Sequence, residues 1–137
     1  YAAIYAMLAR HAGFDSALLV RGVEGGVTAS LRQASTTYQF VGDAPEAAVV
    51  VDPEALGIQH DLRAPSIPPG VEGNEEISKY AAEAGVAALQ GQRGITFDAL
   101  LLSATLVLHH LGRCDSLEQG AEQVRDVLSS GSAAGRL

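Results

Sequence analysis

Residues 99–111, Ala-Leu-Leu-Leu-Ser-Ala-Thr-Leu-Val-Leu-His-His-Leu, constrain this chain more than any other stretch. Wound into a helix, the run is apolar nearly all round, and such a helix has to be covered on several sides. Thr96 offers a cap before it and Gly112 a stop after it. A central, buried helix is therefore expected, with the rest of the fold arranged around it. The chain has 137 residues, which suits one domain with a modest core. The longest apolar run, Ala99 to Leu108, is broken by Ser103 and Thr105 and falls short of the ~20 residues that cross a bilayer. No basic stretch precedes an apolar one, so no signal peptide is visible and no membrane partner is expected.

Two more helices flank this one in sequence. Asn74 is the expected cap of the first, with Glu75 and Glu76 complementing the dipole, a stripe of Ile77, Tyr80, Ala81, Ala84 and Ala88, and Gly91 as the stop. Ser116 and Gln119 have capping-box spacing ahead of Leu117, Ala121, Val124 and Leu128, and Gly131 ends that helix. Near the start, Ile4, Tyr5, Leu8 and His11 recur at helical spacing before Gly13. Between these lie strand signals. Ala17 to Val20 is a continuous apolar run, suited to a strand covered on both faces. Thr36 to Val41 is β-rich, Gly42 to Pro45 reads as a turn, and Ala47 to Val51 follows as a third strand, giving a hairpin or meander. Asp52-Pro53-Glu54 has the chemistry of a short capped turn closed by Gly57. The segment from His60 to Gly73, with Pro65, Pro68 and Pro69, reads as the one long loop.

The expected fold class is α/β: a partial sheet with packed helices. Three strands are too few to cover so apolar a helix, and the first residues from Tyr1 already read as mid-helix. The chain is therefore expected to be an incomplete piece, 1–137, of a longer protein.

The chemistry-bearing stretch is Val20-Arg21-Gly22-Val23-Glu24-Gly25-Gly26-Val27-Thr28, a strand running into a turn with three glycines within five residues. Glycine tolerates positive φ and lets backbone amides approach a ligand closely. Neither the Gly-Lys-Ser/Thr of a P-loop nor the spacing of a dinucleotide fingerprint is present. Two readings stand: a backbone site for a phosphate or substrate, or a tight connection from strand to loop. Arg21 can reach an anion or form a surface ion pair. Glu24 can bind a hydroxyl or a hydrated Mg2+, or be a solvated loop carboxylate.

Elsewhere the candidates thin out. His109 and His110 point about 100° apart on a helix, which keeps them from sharing one metal and suits them to the helix C-terminus. His11 and His60 read as isolated, and no Ser-His-Asp or Cys-His set has local support. The single cysteine, Cys114, excludes an internal disulfide framework and a cysteine-based zinc site, reads as a small buried thiol, and suits a reducing cytoplasm. A net charge of −7, scattered cations and the lack of tryptophan argue against this segment alone gripping nucleic acid.

The ordered motifs carry a resemblance to the C-terminal part of the anthranilate phosphoribosyltransferase family (glycosyltransferase family 3). In that family a strand ends in a histidine or similar residue and a glycine, then a glycine loop; here Val20 to Thr28 matches. Pro53-Glu54-Ala55-Leu56-Gly57 matches a second segment, the helix start near Asn74 a third, Asp98-Ala99-Leu100-Leu101-Leu102-Ser103-Ala104 a fourth, and Ser130-Gly131-Ser132-Ala133 a fifth. The resemblance implies a nucleoside phosphorylase/phosphoribosyltransferase-type catalytic domain and a role in tryptophan biosynthesis. The amine of anthranilate would attack C1 of 5-phosphoribosyl diphosphate (PRPP), with Mg2+ carrying the pyrophosphate. Substrate binding is then expected on Arg21, Gly22, Glu24, Gly25, Gly26 and Thr28, and a homodimer through helices outside this chain. The family's acidic Mg2+-binding pair falls at Val27 and Thr28, which supply no carboxylate, so no metal site is expected there. The form Arg21-Gly22-Val23-Glu24-Gly25-Gly26 looks closer to the YbiB-type paralogues, which share the fold and are associated with DNA or RNA binding. That gives the alternative: a nucleic-acid-binding paralogue without transferase activity, acting through parts outside this chain.

Overall fold

A computed structural model of the chain describes residues 2–22 and 27–136. Helix α1 (Ala2–His11) leads into strands β1 (Ser16–Leu19), β2 (Ser35–Val41) and β3 (Ala47–Val51). A 3-10 turn (Glu54–Leu56) and a long loop precede helices α2 (Gly73–Leu89), α3 (Ile95–His110) and α4 (Leu117–Ser129), and a last 3-10 turn spans Ala134–Arg136. Among the described residues no helix is long and apolar enough to cross a membrane.

The strands form one antiparallel sheet in the order β1-β2-β3, with Ala17 opposite Phe40, Leu19 opposite Tyr38, Thr37 opposite Val49 and Ser35 opposite Val51. Opposed residues share a face. One face carries Leu18, Thr37 and Val51 toward the main core, where Leu18 and Val20 also pack. The other carries Ala17 and Phe40 beneath α1, whose Ala6 is fully buried. Arg10 of α1 lies 4.2 Å over the Phe40 ring, meets Glu46 at 2.7 Å and donates to the carbonyl oxygens of Gly42 and Ala44. The Ala17–Val20 run is thus covered on both faces as its sequence suggests, with the strand itself one residue earlier.

Helix α3 is the centre of the core. Its Phe97, Leu101, Leu102 and Leu106 pack with Ala88 of α2, with Ala121, Val124 and Leu128 of α4, and with Leu31, Leu56 and Ile58 from the connecting segments. Burial is one-sided, however. Val107 is 49% and Leu111 59% exposed, and an open apolar groove of about 640 Å3 runs between α3 and α4, lined by Leu100, Val107, Leu108, Val124 and Val127. The reason is architectural: α1 packs mainly against β1 and β2. The expected stripes are correspondingly partial. On α2 only Ala88 is buried while Tyr80 and Ala81 are exposed, and on α1 Ile4, Tyr5 and Leu8 face outward around the small contact residue Ala6.

Helix ends follow local chemistry. Gly112, at φ 64°, closes α3: its amide donates to His109 O and that of Arg113 to Leu108 O, the paired bonds of a left-handed glycine cap. Ser116 Oγ accepts from the Gln119 amide at 3.2 Å, and Gln119 Oε1 accepts from the Asp115 amide at 2.7 Å. Asp52 Oδ1 accepts from the Glu54 amide at 3.1 Å ahead of the 3-10 turn. Asn74 and Thr96 do not cap. Helix α2 begins after Glu72, whose amide donates to the Glu76 carboxylate. Helix α3 begins after Gly94, at a φ of 151° that side-chain-bearing residues avoid. Both expected caps therefore fall second in their helices.

Candidate functional site

After β1 the chain passes through Val20, exposed Arg21 and half-buried Gly22. Glu24, Gly25 and Gly26, three of the expected site residues, lie outside the described residues. Beyond them Val27 is 90% exposed and Thr28 is exposed, and the chain then turns inward. Ala29, Ser30 and Leu31 are all buried. Burying a serine hydroxyl requires hydrogen bonds. Ser30 Oγ accepts from the amides of Arg32 at 3.1 Å and Gln33 at 3.3 Å, a local turn that redirects the backbone toward β2.

This irregular segment is joined to another one far away in sequence. The Leu31 amide donates to Arg63 O at 2.9 Å, and Arg32 Nη1 donates to Asp61 O at 3.2 Å. The segment around Arg63 is itself held at two points. Ile58 is buried in the core. His60 Nε2 meets Asp98 Oδ2, in the first turn of α3, at 2.7 Å, with both side chains only 22% exposed. The reading of His60 as isolated is thus corrected. Its partner stands 38 residues later, beyond the reach of any local spacing rule.

Two cavities border this junction. One, of about 260 Å3, is lined by Thr28, Leu31, Arg63, Pro65, Ala99 and Ser103 among others. The other, of about 360 Å3, is lined by Arg32, Glu54, Gln59, His60 and Asp61. The first brings together Thr28, just past the glycine-rich stretch, an arginine, a second hydroxyl-bearing residue and apolar walls. That combination suits an anionic or hydroxylated group carried on a partly apolar body. Arg63 and Ser103 were not singled out in the sequence; the Asp98–Ala104 motif was, and Ser103 lies inside it. Arg21 and Gly22 line neither cavity.

The remaining candidates lie elsewhere. His110 Nδ1 is 3.1 Å from Gln39 Oε1, which ties the end of α3 to β2. Cys114 is buried, and burial pushes its thiol pKa up, away from the reactive thiolate form. Among the described residues no three His, Cys, Asp or Glu side chains gather closely enough to hold a metal. The positions where the resemblance expects an acidic pair offer one hydroxyl, on Thr28, and an aliphatic side chain, on Val27. A hard divalent cation takes several oxygen ligands, so this donor set does not fit Mg2+.

Comparison with known proteins bears on the whole arrangement. The model of a glycosyl transferase family, described as its a/b domain, matches residues 1–134. A crystal structure of anthranilate phosphoribosyltransferase from Thermus thermophilus superposes with a TM-score of 0.59 at 28% sequence identity. The match covers 88% of this chain and 34% of that one, so the chain spans about a third of the relative's length. No curated protein matches the chain.

Proposed function

Since the chain belongs to the glycosyl transferase family through its a/b domain, we propose that it is the C-terminal α/β portion of an anthranilate-phosphoribosyltransferase-like enzyme. The reaction would move the phosphoribosyl group of PRPP to an aromatic amine acceptor, the amine forming a bond to C1 as pyrophosphate departs. The observation that carries this reading is the cavity at the end of the glycine turn. Thr28, Arg63 and Ser103 line it together, from three separate segments, beside apolar Leu31 and Pro65. A cation and hydroxyls can orient an oxygen-rich substrate while the apolar wall excludes water, and such transfers depend mainly on positioning and charge neutralisation. Residues 27 and 28 supply no carboxylate, so a metal-assisted departure of pyrophosphate is not built from them. A cytoplasmic setting, a place in tryptophan biosynthesis and a homodimer formed by parts outside this chain complete the proposal.

One observation favours a rival reading. Where the family's acidic pair stands, this chain presents a valine and a threonine, both exposed. A YbiB-type, nucleic-acid-binding relative without turnover would tolerate that exchange. The two readings separate in one experiment on the protein that carries this chain. Pyrophosphate release is followed with PRPP, anthranilate and Mg2+, beside a DNA-binding titration across salt concentrations. Turnover that falls in Arg63→Ala supports the transferase. A steep salt slope with no turnover overturns it in favour of the rival.

A further inference from the structure

The His60–Asp98 pair has no role in either reading, yet it sits under the site. Its consequences can be followed bond by bond. Asp98 belongs to α3, the most buried helix of the fold, and its amide is bonded to Gly94 O at 3.0 Å. His60 is therefore fastened to a fixed point. The backbone three residues on supplies the Arg63 carbonyl that accepts from the Leu31 amide, and one residue on supplies the Asp61 carbonyl that accepts from Arg32. Leu31 in turn lies only three residues after Thr28. The same loop brings Arg63 to the lining of the cavity that Thr28 also lines.

We propose that His60 and Asp98 form a positioning clamp. The pair sets loop 58–65 on the first turn of α3, and through the Arg63 carbonyl it fixes where the end of the glycine turn stands relative to the Arg63 side chain. Neither residue is assigned contact with substrate. A loop held only by the burial of Ile58 would pivot about that point, and the Leu31–Arg63 bond would open with it. The clamp converts one anchored point into two.

That the clamp serves a reaction rests on the transferase reading; that it exists does not. The test therefore reads structure first. Amide exchange is measured residue by residue in the protein carrying this chain, for His60→Ala and Asp98→Ala. The expected result is exchange at the Leu31 amide faster by about tenfold or more, with the Arg32 amide, which is bonded to Ser30 Oγ, and the amides of α4 and of β2–β3 unchanged, as local opening requires. His60→Gln, whose side-chain amide can still donate to Asp98, is expected to restore protection. Unchanged exchange at Leu31 overturns the clamp. So does an equal acceleration in α4, which would mean general loss of stability, and so does failure of His60→Gln to recover. Should the alanine variants not fold, His60→Phe, which keeps a ring but cannot donate to Asp98, gives the same readout, and no change at Leu31 would again overturn the clamp. If turnover is present, the alanine variants are expected to raise KM more than they lower kcat. A clamp seen by exchange in a protein without turnover removes the transferase reading and leaves the clamp standing.

Discussion

Two irregular segments meet at the candidate site, and they differ in how they are held. Residues 27–34 are shaped from within: Ser30 Oγ accepts from the amides of Arg32 and Gln33, and Ala29 and Leu31 are buried beside it. Residues 58–65 have no such internal turn. They are held from outside, by the core at Ile58 and by α3 through His60. The segment at 27–34 announces itself by the glycine-rich composition ahead of it; the one at 58–65 has the composition of a proline-containing linker. Yet 58–65 supplies the cation of the cavity and the carbonyl that receives Leu31. The lesson is that a loop's composition tells how freely it bends, while its position is decided by the partners it finds elsewhere.

The contrast can be broken most severely from beneath. Leu101 is fully buried in α3, and Leu101→Ala is expected to cost about 2–5 kcal/mol and to loosen both segments together. Leu108 sits on the open groove, so Leu108→Ala is expected to cost less than Leu101→Ala. Denaturant titration of both variants checks the order, and equal losses would mean that the groove is closed in solution. Next comes a change remote from both segments. A Cβ added at Gly120 would stand 2.8 Å from Cys114 Sγ and 3.3 Å from Thr105 Cγ2, so Gly120→Ala is expected to cost about 1–3 kcal/mol by overpacking. Local exchange at Leu31 and Arg63 should stay as it is, relative to the global stability.

Smaller changes sharpen the comparison itself. Ser30→Ala removes the internal turn of residues 27–34 and is expected to cost about 1 kcal/mol, with faster exchange at Arg32 and Gln33 while His60 and Asp98 keep their NMR shifts. The reverse pattern would show that residues 27–34 depend on 58–65 for their shape. The smallest effect lies at the far side of the sheet. The hydrogen bond from Arg10, more than any other influence, holds the Glu46 carboxyl below its ordinary 4.5. With the folded value depressed, this contribution is present above that pH and is lost as pH falls through the folded value. Glu46→Gln should flatten the acid limb of a melting-temperature profile slightly and leave both segments untouched. A steeper limb would contradict the pairing.

Most of the fold's punctuation was legible because it is written within a few residues. Gly91 and Gly112 end their helices, Ser116 caps α4, and Asp52 caps the short turn, each by bonds spanning no more than five positions. Asn74 and Thr96 misled because Glu72 and Gly94 took the helix starts two positions earlier. The all-round apolar pattern of 99–111 located α3 correctly and overstated its cover, since periodicity reports what a helix would bury and not what is there to bury it. In the site, the glycine-rich stretch stands out by its own residues, but its centre, residues 23–26, lies outside the described residues. Arg63, Ser103 and the His60–Asp98 pair do not stand out, because each matters through a neighbour more than thirty positions away, and no spacing encodes that.

Cys114 carries one more consequence. It is the only thiol in the chain, it is packed against Gly120, and burial pushes its pKa up. A thiol reagent therefore has to wait until the connection between α3 and α4, which carries Cys114, opens. The rate of labelling becomes a clock for that opening, read at a single atom without adding any probe. Because loop 58–65 is fastened to α3 rather than to α4, the clock should run at the same rate whether or not His60 is in place.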